Sequence, residues 1–384
     1  MSRRDVFTTI RTEGALLPAD LLQRILEGDK ALGGLSAEEY NLAKGERINE
    51  AINRSWNRLT GIWPAFHNSV KRLAENDPGT GMTRDRWLLI LFQELGYGRL
   101  ATARSLEAGG KNYPISHQWQ AVPIHLVGCH VDLDKRTAGV SGAARTNPHG
   151  LVQEYLNRSD KSLWGMVSNG LTLRILRDSS AITRQSYVEF DLASMFAGEV
   201  YSDFVLLWLL CHQSKVEAER QEDCWLEKWY RAAQEEGTRA LENLRSGVET
   251  AIESLGQGFI AEPANRALRE LLQTGALTKQ QYYRQLLRLV YRLIFLMVAE
   301  ERQLLHPKDA SPESATLYDR YYSVARLRRL AEKRRGSAHT DLYAGLCIVM
   351  DLLGNDGGSE LLALPALGIF LWDRDTLGIL PDCK

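Results

Sequence analysis

In HVDLDKR, residues 130–136, two aspartates and a lysine stand close together as Asp132, Asp134 and Lys135. Those residue types are the equipment of Mg²⁺-dependent phosphodiester cleavage. The carboxylates hold the ion and the lysine assists at the attacking water. The spacing needed is an Asp on one strand and an acid two residues before a Lys on the next. Here Lys135 follows Asp134 directly, and strand alternation would send the two side chains to opposite faces. The sole acid two residues before a lysine is Asp382, ahead of Lys384. The segment therefore has the setting of a nuclease-like site without its register, and no metal site is expected.

Other chemistries fail on spacing as well. Transfer of a methyl group to an extruded base needs an (N/D/S)-P-P-(Y/F/W) loop around the target amino group. The chain has no Pro-Pro pair. FQELGYG places its glycines at a helix end rather than after a strand. GGKN, residues 109–112, lacks the spacing and hydroxyl of a phosphate loop, and no G-x-S-x-G elbow occurs. His125, Cys129 and His130 lack metal-ligand spacing and are expected on the mixed faces of a strand.

What remains is a run of cations. Residues 279–340 hold thirteen Lys and Arg against six acids. Arg326, Arg328, Arg329, Lys333, Arg334 and Arg335 concentrate this charge on one expected helix, YYSVARLRRLAEKRRG, stopped at Gly336. Such side chains can neutralise phosphates without reading sequence. These six are the candidate DNA-contacting residues. A solvated helix face is the alternative.

The elements that would carry these residues follow from periodicity. PADLLQRILEG predicts a helix with Pro18 near its start and Gly28 past its end. Ile48, Ile52, Trp56, Leu59, Trp63, Phe66, Val70 and Leu73 form one apolar face of a long helix, which Pro64 is expected to kink or split. After the NDPGTG turn, Thr83 is expected to cap an apolar helix closed by Gly96. Beyond Gly109 the texture changes to short segments rich in Val, Ile, Tyr and Trp: KNYPISHQW, VPIHLVGCHVDL, LWGMVSNG, LTLRILRD and SYVEFDL. SNG, residues 168–170, predicts a tight turn. GLVQEYLNRS predicts a helix among these strands. SDFVLLWLLCHQSKVEAE is expected to be a helix starting at a Ser cap with Asp203 in its first turn. Residues 217–253, with ten acids and five bases, predict a solvated helical face. QYYRQLLRLVYRLIFLMVAEERQLL and HTDLYAGLCIVMDLLGND predict further helices.

Bulk properties narrow the class. The chain has 384 residues, 44% hydrophobic and 25% charged, with net charge −1, the profile of a globular protein without global attraction to nucleic acid. Its five scattered cysteines form no C-x-x-C pair, so a reducing cytoplasm is the expected compartment. The stretch MSRRDVFTTIRTEG has no apolar h-region, so no signal peptide is expected. The longest apolar stretch, residues 289–299, is shorter than the roughly 20 residues a membrane span needs and carries Arg292. No membrane partner is expected.

Several long segments together resemble the N-terminal part of large bacterial adenine-specific DNA methyltransferases of the type IIG kind, including those of the BREX and DISARM phage-defence systems. They are ERINEAINRSWNRL (46–59), GMTRDRWLLILFQELGYGRL (81–100), YPISH (113–117), VPIHLVG (122–128), LVQEYLNRSDKSLWGMVSNGLTLRILRD (151–178), YVEFDL (187–192), YSDFVLLWLLCHQS (201–214), QYYRQLLRLVYRLIFLMVAEERQLLH (281–306) and LALPALGIFLW (362–372). The resemblance implies a piece of a longer protein whose catalytic domain lies downstream. It implies methylation of adenine N6 with S-adenosylmethionine by the intact protein, and no catalytic residue or cofactor in this chain. The expected fold is α+β: a helical region over 1–81, a degenerate restriction-endonuclease-like α/β domain over 82–214, and a helical domain over 215–384. The expected partner is double-stranded DNA. The alternative function is a non-catalytic scaffold that docks other defence-system proteins.

Overall fold

A computed structural model describes residues 7–14, 16–103, 105–178, 185–333, 339–368 and 370–384. The described residues divide into two compact units, one within 7–237 and the other within 238–384.

The first unit is built around a mixed sheet. Its strands are β1 (Ile10–Glu13), β2 (Ala101–Thr102), β5 (His117–Trp119), β6 (Val122–Leu126), β7 (Trp164–Ser168), β8 (Thr172–Arg177) and β9 (Tyr187–Asp191), in the order β1-β9-β8-β7-β6-β5-β2. β3 (Leu106–Ala108) and β4 (Lys111–Tyr113) form a separate hairpin. β6 and β7 are parallel, and every other pair in the sheet is antiparallel. A parallel pair needs a long crossover, which here contains the helix Pro148–Leu156.

Alternation sorts the side chains onto two faces. Ile124 and Leu126, Trp164 and Met166, Leu173 and Ile175, and Val188 and Phe190 enter one core. That core is shared with α1 (Ala19–Leu26), α2 (Ile48–Lys71), the helical stretch 80–97, α6 (Leu192–Ala197) and α7 (Tyr201–Cys211). The stretch 80–97 joins α3 (Thr80–Thr83) and α4 (Leu89–Phe92) through π-turns at Arg84–Leu88 and Gln93–Tyr97. The opposite face packs against Leu151, Val152 and Leu156 of α5, the crossover helix Pro148–Leu156. Gly165 permits that approach: a Cβ there would lie 3.0 Å from both Pro123 Cγ and Val152 Cγ1. Gly170, with φ +83°, turns β7 into β8 as SNG predicts.

The expected helical region 1–81 is not set apart. Its described helices share one core with the sheet, because Leu59, Trp63 and Phe66 of α2 pack with Trp87 and the strand residues. Pro64 does not break α2, which runs unbroken for 24 residues. Pro64 is exposed, and lacking an N–H it leaves the Thr60 carbonyl without its helical donor. Thr83 caps nothing. The helix opens at Gly79, and Thr83 Oγ1 accepts from the Cys129 backbone N–H at 3.1 Å. The strand expected to continue through Leu133 ends at Leu126 and becomes a loop. The Ser202 cap is also absent. Val200 precedes α7, and the buried Asp203 reaches back to Thr9, accepting from its N–H and its hydroxyl at 2.8 Å each.

A short helix, α8 (Gln213–Val216), carries a fully buried lysine. Lys215 Nζ donates to the Gly34 and Glu39 carbonyls at 2.8 and 2.9 Å and sits 3.5 Å from the Tyr40 ring centroid. Burial pushes its pKa down to about 7, against a weaker opposing pull from Glu39. Between about pH 7 and its ordinary 10.5 the unfolded chain then binds the extra proton, so stability rises with pH across that window. Denaturant unfolding at pH 7.5 and 9.5 should show this rise, roughly 2 kcal/mol from the group. The rise should be absent in Lys215→Met. An equal rise in both proteins would mean that the ammonium is not responsible.

The second unit is helical. α9 (Trp225–Ala261) runs across the division; of the stretch 217–253 expected to be solvated, residues 234–247 are exposed, whereas Gln221, Cys224, Leu226, Glu227 and Trp229 are buried. α10 (Arg266–Thr274), α11 (Lys279–Glu301), α12 (Pro312–Tyr321), α13 (Val324–Lys333) and α14 (Asp341–Gly354) follow. The C-terminal segment is part of this core: Trp372 and Leu380 are fully buried. The buried Arg292 of α11 holds it, donating to the Leu371 and Asp373 carbonyls at 2.7 and 2.6 Å and to Thr376 Oγ1 at 2.9 Å. Among the described residues, no helix is long and apolar enough to cross a membrane.

Candidate functional site

The six candidate cations fall on or just after α13. Arg326, Arg328, Arg329 and Lys333 lie on the helix, while Arg334 and Arg335 lie outside the described residues. Glu300 fixes the start of the helix. Its carboxylate accepts from the backbone N–H of Val324 at 2.7 Å and of Ala325 at 2.8 Å, and from the Tyr318 hydroxyl at 2.6 Å. An acid at that end also suits the helix dipole. Leu327 turns toward the core. Arg328, Arg329 and Lys333 are exposed, and Arg326 is half-buried with Nη1 donating to the Tyr321 carbonyl at 3.1 Å. Arg328 meets Glu332 at 3.5 Å, with both side chains well exposed. Such a pair contributes about 0–1 kcal/mol and gives way easily to a phosphate.

The aspartates of HVDLDKR stand in the loop after β6, so strand alternation does not set their directions. Lys135 pairs with Asp132 at 3.0 Å. Asp134 turns to the sheet and meets Arg174, a residue whose role no local sequence pattern announces. Both Asp134 oxygens accept from Arg174 Nη1 and Nη2 at 2.7 Å, and Arg174 Nε donates to Glu189 at 2.6 Å. The guanidinium lies 4.4 Å from the Tyr187 ring centroid. The strand register explains the meeting, because Arg174 faces Glu189 directly across β8 and β9 on the α5 side. The Arg174 hydrogen bonds and charge hold the Asp134 carboxyl below its ordinary range.

His149, at the start of α5, completes the cluster with Nδ1 3.3 Å from Arg174 Nη1. Burial, reinforced by the Arg174 charge, pushes its pKa down to about 4, so the ring is neutral at pH 7. Nδ1 must accept, which leaves Nε2 carrying the proton, buried and without a hydrogen-bond partner. The Arg174 guanidinium thus engages the carboxylates of both Asp134 and Glu189. Among the described residues, no three His, Cys, Asp or Glu side chains are placed to hold a metal. His125, Cys129 and His130 do not converge. His125 Nδ1 accepts from the Ser116 N–H and Nε2 therefore donates to the Gly142 carbonyl, while His130 bonds the Asp77 carbonyl. All five cysteines are free and buried.

The one trace of the Arg174 cluster in the sequence is the first of the two arginines of LTLRILRD, flanked by the apolar Leu173 and Ile175. No known protein family, curated protein or solved structure compared with the chain matches it.

Proposed function

We propose that this chain is the DNA-engaging, regulatory portion of an adenine-N6 DNA methyltransferase from a bacterial phage-defence or restriction–modification system. The observation that carries the DNA contact is the exposed cationic face of α13, where Arg328, Arg329 and Lys333 point away from the core side marked by Leu327. The family assignment rests on the resemblance of the segments quoted above. S-adenosylmethionine belongs to the intact family protein, and no residue of this chain is assigned to it. The restriction-endonuclease-like reading of 82–214 is supported by the β6–α5–β7 crossover, its parallel strand pair and the antiparallel β8 beside it. In that reading Arg174 stands where the catalytic metal once did, and the domain positions DNA rather than cutting it.

A second reading, a scaffold that docks other defence proteins, is favoured by the apolar surface that Tyr291, Phe295 and Val298 expose along α11. Fluorescence anisotropy with the full chain and two unrelated duplexes, across a salt series, separates the two. The DNA reading expects similar affinities for both duplexes and a linear fall of log affinity with log salt. No saturable binding to either duplex at low salt would leave the scaffold reading standing.

A further inference from the structure

A cavity of about 340 Å³ opens at the end of β6, on the first unit, in a part of the molecule that neither α13 nor the Arg174 cluster touches. Its polar lining comes from Thr80, Arg84, Thr102, Ser116 and Ser141, and its apolar walls include Ile115 and Val140. No carboxylate lines it. Arg84 is half-buried and makes no ion pair among the described residues. Its Nε donates to the Leu126 carbonyl at 2.9 Å, and Nη2 donates to the same oxygen. That oxygen is neutral, so two donor nitrogens are directed but the charge has no counter-ion.

The one acid that acts on Arg84 is Asp85, next in the chain; its pull is weaker than the burial that lowers the Arg84 pKa. His117 and His125 lie behind Ser116, and burial together with the Arg84 charge holds both near a pKa of about 4, neutral at pH 7. Ser116 Oγ lies 2.8 Å from His117 Nδ1 and accepts from the Leu126 N–H at 2.8 Å, which fixes that wall of the cavity. A half-buried guanidinium costs desolvation energy that an opposite charge would offset. An anion with several acceptor oxygens satisfies the arginine and the hydroxyls together; with Nε and Nη2 already on Leu126, it is the Nη1–Nη2 edge of the planar guanidinium that suits a phosphoryl group. The volume is near the lower end of ligand pockets, about 300–1,000 Å³, so it admits a phosphoryl group with its sugar rather than a large cofactor.

We infer that this cavity binds the terminal phosphoryl group of a phosphate monoester, with Arg84 as its charged partner and the Thr80, Thr102 and Ser141 side chains around its oxygens. The group could be carried by a free nucleotide or by a 5′-phosphorylated strand end. The inference stands independently of DNA contact through α13.

Calorimetric titration of the full chain tests it with four probes: inorganic phosphate, adenosine 5′-monophosphate, a 5′-phosphorylated trinucleotide and the same trinucleotide with a 5′-hydroxyl. One saturable site is expected for the three phosphorylated probes and none for the 5′-hydroxyl strand. Arg84→Gln should weaken binding by about tenfold or more, as expected when a charge-assisted hydrogen bond is removed. Because Arg84→Gln also disturbs the bonds to Leu126, Thr102→Glu is the second variant. It sets a carboxylate on the exposed rim, leaves Arg84 in place and should weaken binding to a similar degree. Tighter binding of the mononucleotide than of the phosphorylated strand would assign the source to free nucleotide, and the reverse order to a strand end. Absence of saturable heat with all three phosphorylated probes, or affinity unchanged in a folded Thr102→Glu protein, overturns the inference.

Discussion

Replacing Arg328, Arg329 and Lys333 together with Gln should lower the log–log salt slope of duplex binding by about 2.7, at about 0.9 for each phosphate that is no longer neutralised. At physiological salt the same three cations are worth roughly a hundredfold in affinity, and the weakening should be similar on unrelated duplexes. The substitutions are structurally mild. All three side chains are exposed, and the one ion pair among them, Arg328 with Glu332, spans 3.5 Å on the surface. The start of the helix is held by Glu300, which the triple change leaves intact. Unfolding should therefore shift by little while binding falls steeply. A slope that does not move, measured by anisotropy on a variant with wild-type circular dichroism, would remove α13 from the DNA interface.

The largest stability effect is expected at Glu227, the most deeply buried carboxylate in an ion pair among the described residues. Its side chain is 1% exposed. It accepts from Arg177 Nε and Nη2 at 2.9 Å each, from Trp164 Nε1 at 3.1 Å and from Arg231 Nε at 3.1 Å. These donors tie the first turn of α9 to the ends of β7 and β8. Burial alone would push the Glu227 carboxyl up, but the hydrogen bonds and charge of Arg177, with help from Trp164 and Arg231, hold it below the ordinary value. Its contribution is thus present above the ordinary carboxylate pKa and fades as pH falls below it. Arg177→Leu removes two of the four donors and strands the charge. Breaking a buried pair this way costs about 3–5 kcal/mol, and the two remaining donors place this case near the lower end. For a unit of this size that is a drop of about 6–12 °C in Tm.

The pH dependence separates a stranded charge from impaired packing. In Arg177→Leu the Glu227 carboxyl is deprived of its main partner and burial raises its pKa, so the folded protein takes up a proton first. The deficit against wild type should then be greatest near pH 7 and shrink toward pH 5. A deficit constant over that range would assign the effect to packing of Arg177 on the Tyr230 ring, whose centroid lies 4.1 Å away. Tryptophan fluorescence follows this unit selectively, because every tryptophan except Trp372 lies within residues 7–237.

Much of the fold was legible where a single local signal dominated. α1, α2, α5 and the β7–β8–β9 meander stand where periodicity and the SNG turn put them. The misreadings have a common cause in long-range contacts. Ser202 looks like a cap, but Val200 precedes α7, and Asp203, in the first turn as expected, is turned to Thr9, about as far away in sequence as the whole sheet extends. Thr83 looks like a cap but serves a loop near Cys129. The aspartates of HVDLDKR look like strand positions because Val131 and Leu133 alternate with them, yet those two apolar residues are buried from a loop. The basic helix was readable because its charge is local. Arg174 and Arg84 were not, since an arginine by itself shows no sign of what it meets, and their partners lie 40 residues away for Asp134 with Arg174 and 42 for Leu126 with Arg84.

One edge of the sheet also fixes the timing of assembly. β1 is an early strand whose partner in the sheet, among the described residues, is β9 alone, with Ile10 opposite Phe190 and Glu13 opposite Tyr187. On a ribosome adding about 5–20 residues per second, the first strand waits roughly 10–40 s before its partner exists. During that interval β1 is an open template, and the segment IRTE that forms it carries both an arginine and a glutamate. Alternating charge on a lone strand discourages pairing with neighbouring nascent chains. Pairing of β1 therefore cannot begin until β9 has been made. Slowed translation after residue 190 should help yield, whereas slowing before that point should lengthen exposure of the unpaired strand.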